Sequence, residues 1–321
     1  MSCLIVKCSA LGDILQTFPV VSYLKERGLS VSWVCEERFE KLLTAHPEID
    51  QVITINSKDW PRGLGALKNT LQATHYDYVF DLQGNCKSGL VTFLAKGKRK
   101  VGFTFKTASE WPNALVTSYR FSGNQPIDIV KGFFGDCSPF YYRGIALKNN
   151  DPIPCIPSPA LMICPGSNWP NKQLDASDWK ALLKDVSHHL VIIWGNEKEQ
   201  ELANEIAEGH SATVLGRLPF ALWQALIREV DGVVGVDSSS VHLCATTNTP
   251  SFTIFGPSNP SIYKPSGEQH GFFWGTCPYQ VDFKRRCPHL RTCKTGACTK
   301  AIPHSELIAT FQSWLLDLAC V

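Results

Sequence analysis

The sequence lacks both glycine-rich signatures that announce the commonest nucleotide chemistries. No G-x-G-x-x-G follows the first apolar run of either half, and no G-x-x-x-x-G-K-[ST] occurs, so dinucleotide oxidoreductase and P-loop NTPase readings lose their main support. Charge of one sign is also scarce. A formal net charge of +2 over 321 residues supplies no broad basic surface, so no nucleic-acid partner is expected and any anionic partner must be met locally. Long apolar runs are absent: no window approaches the roughly 18 uninterrupted apolar residues of a membrane span, and no transmembrane segment is expected. The stretch from Met1 to Ser9 turns polar after about five apolar residues, too few for the apolar region of a signal peptide. Paired C-x-x-C motifs are missing as well. The thirteen cysteines, Cys3, Cys8, Cys35, Cys164 and Cys244 among them, are scattered, which with no export signal implies reduced thiols in a cytoplasm.

What is present is the composition of an ordinary globular protein, 44% hydrophobic and 19% charged, with apolar material for two cores of roughly 150 residues each. Short β-rich runs (Leu4 to Val6, Val31 to Cys35, Val52 to Ile55, Tyr78 to Leu82) alternate with helix-spaced stretches (Ile14 to Arg27, Phe39 to His46, Leu64 to Ala73), which is βαβ repetition. The segment from Lys148 to Pro159 holds four prolines and no periodic pattern, as a linker should. Beyond it the alternation restarts, with strands expected at Leu161 to Cys164, Leu190 to Trp194, Thr213 to Leu215, Gly232 to Val236 and Ser251 to Phe255. Helices are expected at Ser177 to Val186, Lys198 to Glu208, Phe220 to Glu229 and Val241 to Thr246. The expected organisation is an α/β fold of two doubly wound domains, 1–155 and 156–303, with a final helix in 304–321 packing back toward the N-terminal domain. Ligands of such sheets bind beyond the carboxyl ends of the strands, so the cleft between domains is the expected site.

Four strand-end loops carry candidate chemistry. The first strand runs out at Lys7-Cys8-Ser9-Ala10-Leu11-Gly12-Asp13, where Asp13 reads either as a helix N-cap or as a carboxylate facing the ligand edge. Asp237-Ser238-Ser239-Ser240-Val241-His242 puts small hydroxyl residues at a helix start whose N–H groups and dipole suit a diphosphate. His242 reads as a phosphate neighbour or as a hydrogen-bonded core histidine. In Cys164 to Gln173, Ser167 offers a hydroxyl donor, and Lys172 reads as a phosphate contact or a solvated surface lysine. In Trp194 to Glu199 the carboxylates read as ribose acceptors or as helix-dipole partners. Finally, Cys277, Cys287, Cys293 and Cys298, with His289 among them, lie ten, six and five positions apart. This spacing is irregular for a zinc module, and reduced loop thiols are the expectation.

These loops, in this order, resemble the bacterial heptosyltransferases of glycosyltransferase family nine. The matching pieces are Lys7 to Pro19, Asp81-Leu82-Gln83-Gly84-Asn85-Cys86-Lys87-Ser88, Pro165-Gly166-Ser167 through Lys172, Trp194-Gly195 to Glu199, Asp237 to His242, and Phe255-Gly256-Pro257-Ser258. The resemblance spans nearly the whole chain. It implies a GT-B fold of two Rossmann-like domains facing a cleft, with the acceptor on the first and an ADP-heptose donor on the second, and inverting transfer with no metal and no cofactor.

Carried over residue by residue, Asp13 is the general base and Lys7 lies beside the acceptor or the departing charge. Ser167 and Lys172 contact phosphate, Glu199 the ribose, Leu218 the adenine through its backbone and Asp237 the heptose, while Ser238, Ser239 and His242 complete the diphosphate end. Two departures stand out. Ser239 takes the place of a frequent glycine, and Ser109-Glu110-Trp111-Pro112 resembles a loop that has lost its arginine, leaving Arg62, Lys87, Lys98, Arg99, Lys100 and Lys131 as local positive charge, of which Arg62, Lys87 and Lys131 are taken as acceptor contacts. The opening loop and the Asp81-to-Ser88 stretch look closest to the enzyme that adds the first heptose. The implied reaction is heptosyl transfer from ADP-L-glycero-D-manno-heptose to the Kdo region of a Kdo-lipid A acceptor, by a cytoplasmic protein peripheral on the inner face of the inner membrane. Another nucleotide sugar or acceptor, a sugar-nucleotide epimerase of similar shape, and a non-catalytic nucleotide-sugar-binding subunit remain the alternatives.

Overall fold

The apolar runs of the N-terminal half form strands β1 (Ser2–Val6), β2 (Ser30–Glu36), β3 (Gln51–Ile55) and β4 (Tyr76–Asp81). In this computed structural model the described residues are 1–56 and 60–318, and of residues 60–63 only the helical backbone is described. Two further strands, β5 (Gly97–Phe103) and β6 (Tyr119–Phe121), complete a parallel sheet in the order β3-β2-β1-β4-β5-β6. Ile5 pairs with Trp33 on one side and Phe80 on the other, and all three are fully buried. Burial on both faces is what lets a central parallel strand read as an unbroken apolar run. Strand β5 escapes such a reading because Lys98 and Arg99 are exposed and only Val101 and Gly102 are buried.

The helices of this unit are α1 (Leu11–Leu15), α2 (Phe18–Glu26), α3 (Glu40–Thr44), α4 (Trp60–Ala73), α5 (Cys86–Leu94) and α6 (Pro126–Phe134). The single helix expected from Ile14 to Arg27 is broken between α1 and α2. Pro19, in the first turn of α2, has no N–H to return to the preceding turn, so it begins a helix and cannot continue one.

The C-terminal half repeats the winding. Its strands β7 (Ala160–Cys164), β8 (His189–Trp194), β9 (Ala212–Gly216), β10 (Gly232–Val236), β11 (Ser251–Phe255) and β12 (His270–Trp274) lie in the order β12-β11-β10-β7-β8-β9. In both sheets the first strand is central and the fourth crosses to its other side, the doubly wound order whose switch point lies between those two strands. The helices are α7 (Ala176–Leu183), α8 (Glu197–Ala207), α9 (Phe220–Ile227), α10 (Ser239–Cys244), α11 (Pro260–Tyr263), α12 (Ala297–Lys300) and α13 (His304–Leu318).

The chain divides into compact units Met1–Lys148 and Asn149–Val321, at the start of the proline-rich stretch rather than at 155/156. The final helix belongs to the second unit. Its apolar face, Leu307, Phe311 and Trp314, is buried in the core of the second unit with Phe252 and Trp179, the Phe252 and Phe311 rings 5.4 Å apart. His304 Nε2 meets Asp178 on α7 at 2.7 Å. A helix has one apolar stripe to bury, and here it covers the second sheet. No helix among the described residues is long and apolar enough to cross a membrane.

Candidate functional site

In the first unit the ends of β1 and β4 are tied together by the Gln83 carboxamide and the Lys7 ammonium. Asp81, the last residue of β4, is fully buried and accepts from Gln83 N–H (3.1 Å), Gly84 N–H (3.0 Å), Thr92 Oγ1 (3.0 Å) and Asn113 Nδ2 (2.6 Å). Burial pushes its carboxyl up, against those hydrogen bonds. The turn so formed aims Gln83 back at β1, where its Oε1 accepts the N–H groups of Cys8 (3.0 Å) and Ser9 (3.1 Å). Lys7 is buried, and its ammonium donates to Leu82 O at 2.9 Å.

These contacts fix the loop that delivers Asp13. Asp13 is not an N-cap: the cap position is Ala10, and Asp13 is the third residue of α1. One carboxylate oxygen, Oδ2, accepts Ala10 N–H at 3.2 Å, the reach-back half of a capping box. Asp13 is half-buried, and among the described residues its Oδ1 has no partner.

The acceptor contacts expected from sequence fare unequally. Lys87, in the first turn of α5, pairs with Glu36 at 3.5 Å, beside the loop, since Glu36 N–H donates to Cys8 O. Lys131 is carried away from this edge. Its ammonium donates to Ser138 O in the turn after α6, where Asp136 is bound to Tyr23 (2.8 Å) and Arg27 (2.6 Å) at the C-terminal end of α2. Strand ends feed helix starts, so the end of α2 marks the edge opposite Asp13, and Lys131 leaves the acceptor set. The side chain of Arg62 lies outside the described residues. Glu110, in the loop lacking an arginine, caps α5 by accepting Cys86 N–H at 2.7 Å.

In the second unit a buried ion pair occupies the corresponding place. Lys172 Nζ and Asp237 Oδ2 are 2.5 Å apart, both side chains less than a tenth exposed, so Lys172 is not a solvated surface lysine. Burial favours the neutral Asp237 carboxyl, yet the charge and hydrogen bond of Lys172 hold it below the usual carboxylate range. Ser238 is the N-cap of α10 with no side-chain capping bond, and its hydroxyl pairs with Ser240 Oγ at 2.8 Å. Ser239 opens the helix with negative φ, so the backbone there does not require glycine. His242 is buried in the same helix, close enough for its charge to favour ionised Asp237.

Glu199 on α8 accepts Gly195 N–H at 2.8 Å and crosses to the Ser167 loop. A Cβ on Gly166 would stand 2.4 Å from the Glu199 carboxyl carbon, so the missing side chain makes room for it. Ser167 Oγ accepts weakly from Trp169 N–H at 3.4 Å. Sequence reasoning missed the wall next to half-buried Leu218. A Cβ on Gly216 would stand 2.0 Å from the Trp194 ring, and Arg217 turns with φ of 53° while donating to Trp194 O. A glycine ending a strand beside an aromatic-ended strand was the available signal.

Cys277, Cys287, Cys293, Cys298 and His289 line one cavity of about 270 Å³. Hydrogen bonds from Thr295 and from the Gly296 N–H lower the Cys293 thiol, whereas burial raises that of Cys298. These four cysteines are free thiols, and among the described residues no three His, Cys, Asp or Glu side chains are grouped to hold a metal ion.

Residues 64–127 and 140–292 match the sequence model of glycosyltransferase family 9 (heptosyltransferase). A lipopolysaccharide heptosyltransferase 1 from Pseudomonas aeruginosa is 26% identical over 317 residues, covering 91% of this chain and 89% of its own. The solved structure of Escherichia coli heptosyltransferase WaaC with ADP superposes with a TM-score of 0.75 at 26% identity, over 85% of this chain and 92% of that one. The same enzyme with ADP-2-deoxy-2-fluoro heptose gives 0.73 at 26% identity, over 86% and 94%. With two Rossmann-ordered parallel sheets, the fold is GT-B, and the chain belongs to glycosyltransferase family 9.

Proposed function

We propose that this chain is an inverting, metal-independent heptosyltransferase that moves the heptosyl group of ADP-L-glycero-D-manno-heptose to the Kdo region of the lipopolysaccharide inner core. The observation that carries the reading is its likeness, across both units, to an enzyme solved with an ADP-heptose analogue. The local geometry supports a mechanism. Asp13 Oδ1 takes the proton of an acceptor hydroxyl as that oxygen attacks the anomeric carbon. The bond from that carbon to the ADP oxygen breaks on the opposite face, and configuration inverts. Negative charge growing on ADP is met by Lys172, the hydroxyls of Ser167, Ser238 and Ser239, His242 and the first N–H groups of α10. These groups supply the electrostatic work that a metal would otherwise do, so the reaction needs none, and no cofactor enters it.

Glu199 takes the ribose, the Leu218 backbone borders the adenine and Asp237 takes the heptose. Lys87 meets the acceptor, while Lys7 holds the loop that presents Asp13. Work on a lipid-linked acceptor calls for a cytoplasmic protein peripheral on the inner face of the inner membrane. Exposed Phe93, Trp111 and Leu115, with Lys100 over the Phe93 ring at 5.9 Å, supply apolar anchors beside positive charge of the kind that binds anionic lipid surfaces.

The test is a donor panel with Kdo-lipid A as acceptor, following release of nucleoside diphosphate. ADP release that needs both ADP-heptose and the acceptor is expected. Turnover with a UDP-sugar, or an altered sugar formed with no acceptor present, sinks the reading, the latter in favour of an epimerase.

A further inference from the structure

Gln83 is held in one orientation by two backbone amides. Its Oε1 accepts both Cys8 N–H and Ser9 N–H, and two donors on one atom identify that atom as the oxygen. Its side-chain nitrogen therefore points the other way, and among the described residues it finds no partner, although the residue is only half-buried. The next amide along the loop, Ala10 N–H, is taken by Asp13 Oδ2. Three successive amides of one loop thus anchor both side chains, two on the Gln83 oxygen and the third on Asp13 Oδ2, leaving the Gln83 N–H₂ and Asp13 Oδ1 unused among the described residues.

The geometry points to Gln83 as an acceptor-specificity residue, whose carboxamide N–H₂ binds the carboxylate of an acidic sugar while Asp13 takes the proton of a hydroxyl on the same ring. This deepens the proposed function and rests on it. Of the cations that sequence reasoning offered for an anionic acceptor, Lys131 sits at the opposite edge and Lys87 is already paired with Glu36 beside the loop. A neutral donor also has a chemical advantage here. A cation within a few ångströms of a carboxylate base weakens it as a base, whereas an amide binds an anionic substrate without that penalty.

The test is Gln83→Glu, assayed with Kdo-lipid A and with the same acceptor carrying a carboxamide in place of its carboxylate. Glutamate can still accept from Cys8 and Ser9, so the melting temperature stays near wild type, but it offers no donor and repels an anion. For Kdo-lipid A the acceptor KM should rise at least about tenfold, the scale of losing a hydrogen bond to a charged group, with the KM for ADP-heptose unchanged and most of the difference lost on the carboxamide acceptor. An unchanged acceptor KM, or an equal rise for both acceptors, overturns the assignment. If the proposed function itself fails, the wild-type protein releases no ADP with either acceptor, and the inference falls with it.

Discussion

At the strand ends of the first unit, Asp13 is held by one backbone N–H of a loop whose preceding amides are held by the neutral Gln83 side chain, while at those of the second, Asp237 is buried against the ammonium of Lys172. Both sites sit at the ends of central strands in sheets of the same winding, so topology does not explain the contrast. Under the proposed function their chemical tasks do. A general base must keep an oxygen free and must not be pinned in its charged form by a cation. A donor site needs a cation in a desolvated place, and an ammonium survives there only with an anion beside it. On that proposal the second unit pre-pairs its charge, and a bound diphosphate competes with Asp237 for Lys172.

The sharpest way to break this comparison is Asp13→Asn. If the free oxygen is the base, kcat falls by about 10²–10⁴ while the affinity for ADP, measured by calorimetry, stays put. Near-normal turnover would leave Asp13 as no more than half a capping box. The converse variant, Lys172→Ala, should cost about 3–5 kcal/mol of stability, because it strands a buried carboxylate. Denaturant unfolding checks this, and a cost below about 1 kcal/mol would show the pair to be solvated. Asp13→Ala, by contrast, loses one hydrogen bond and should stay within about 1.5 kcal/mol of wild type.

The smallest effect is one in which the units should agree. Burial holds His46 of the first unit down at about 3 and His270 of the second at about 4, against an ordinary value of 6.5. Between those values the unfolded chain binds more protons than the folded one. Stability is therefore fully present above pH 6.5 and is lost as pH falls below it, by on the order of 1 kcal/mol per pH unit for each histidine. Urea unfolding from pH 7 to 5 measures the slope, and it should shrink in His46→Gln and in His270→Gln. A slope unchanged in both variants would place the acid sensitivity elsewhere.

Much of the architecture was legible because burial leaves local traces. Strands such as Ser2–Val6 and Gly232–Val236 are short apolar runs between helix-spaced stretches, and the loops bearing Asp13 and Asp237 stand where those runs stop. Strand β5 was not legible, since its basic residues face outward and only its end is buried. Nor was β12, an edge strand with Phe272 and Trp274 partly exposed.

The sequence by itself determined which residues end the strands and hence which side chains are delivered to the ligand edge of each sheet, because strand and helix periods are set by near neighbours. The tertiary structure alone decided which of those side chains meet. Asp81 finds Asn113 at 32 residues' separation, Lys172 finds Asp237 at 65, and Gln83 finds Cys8 at 75. The same folding sends Lys131 to the opposite edge from Asp13 and lays α13 on the second sheet. Such pairings follow from the order in which parallel strands are laid side by side, and strand order carries no periodic mark in the chain.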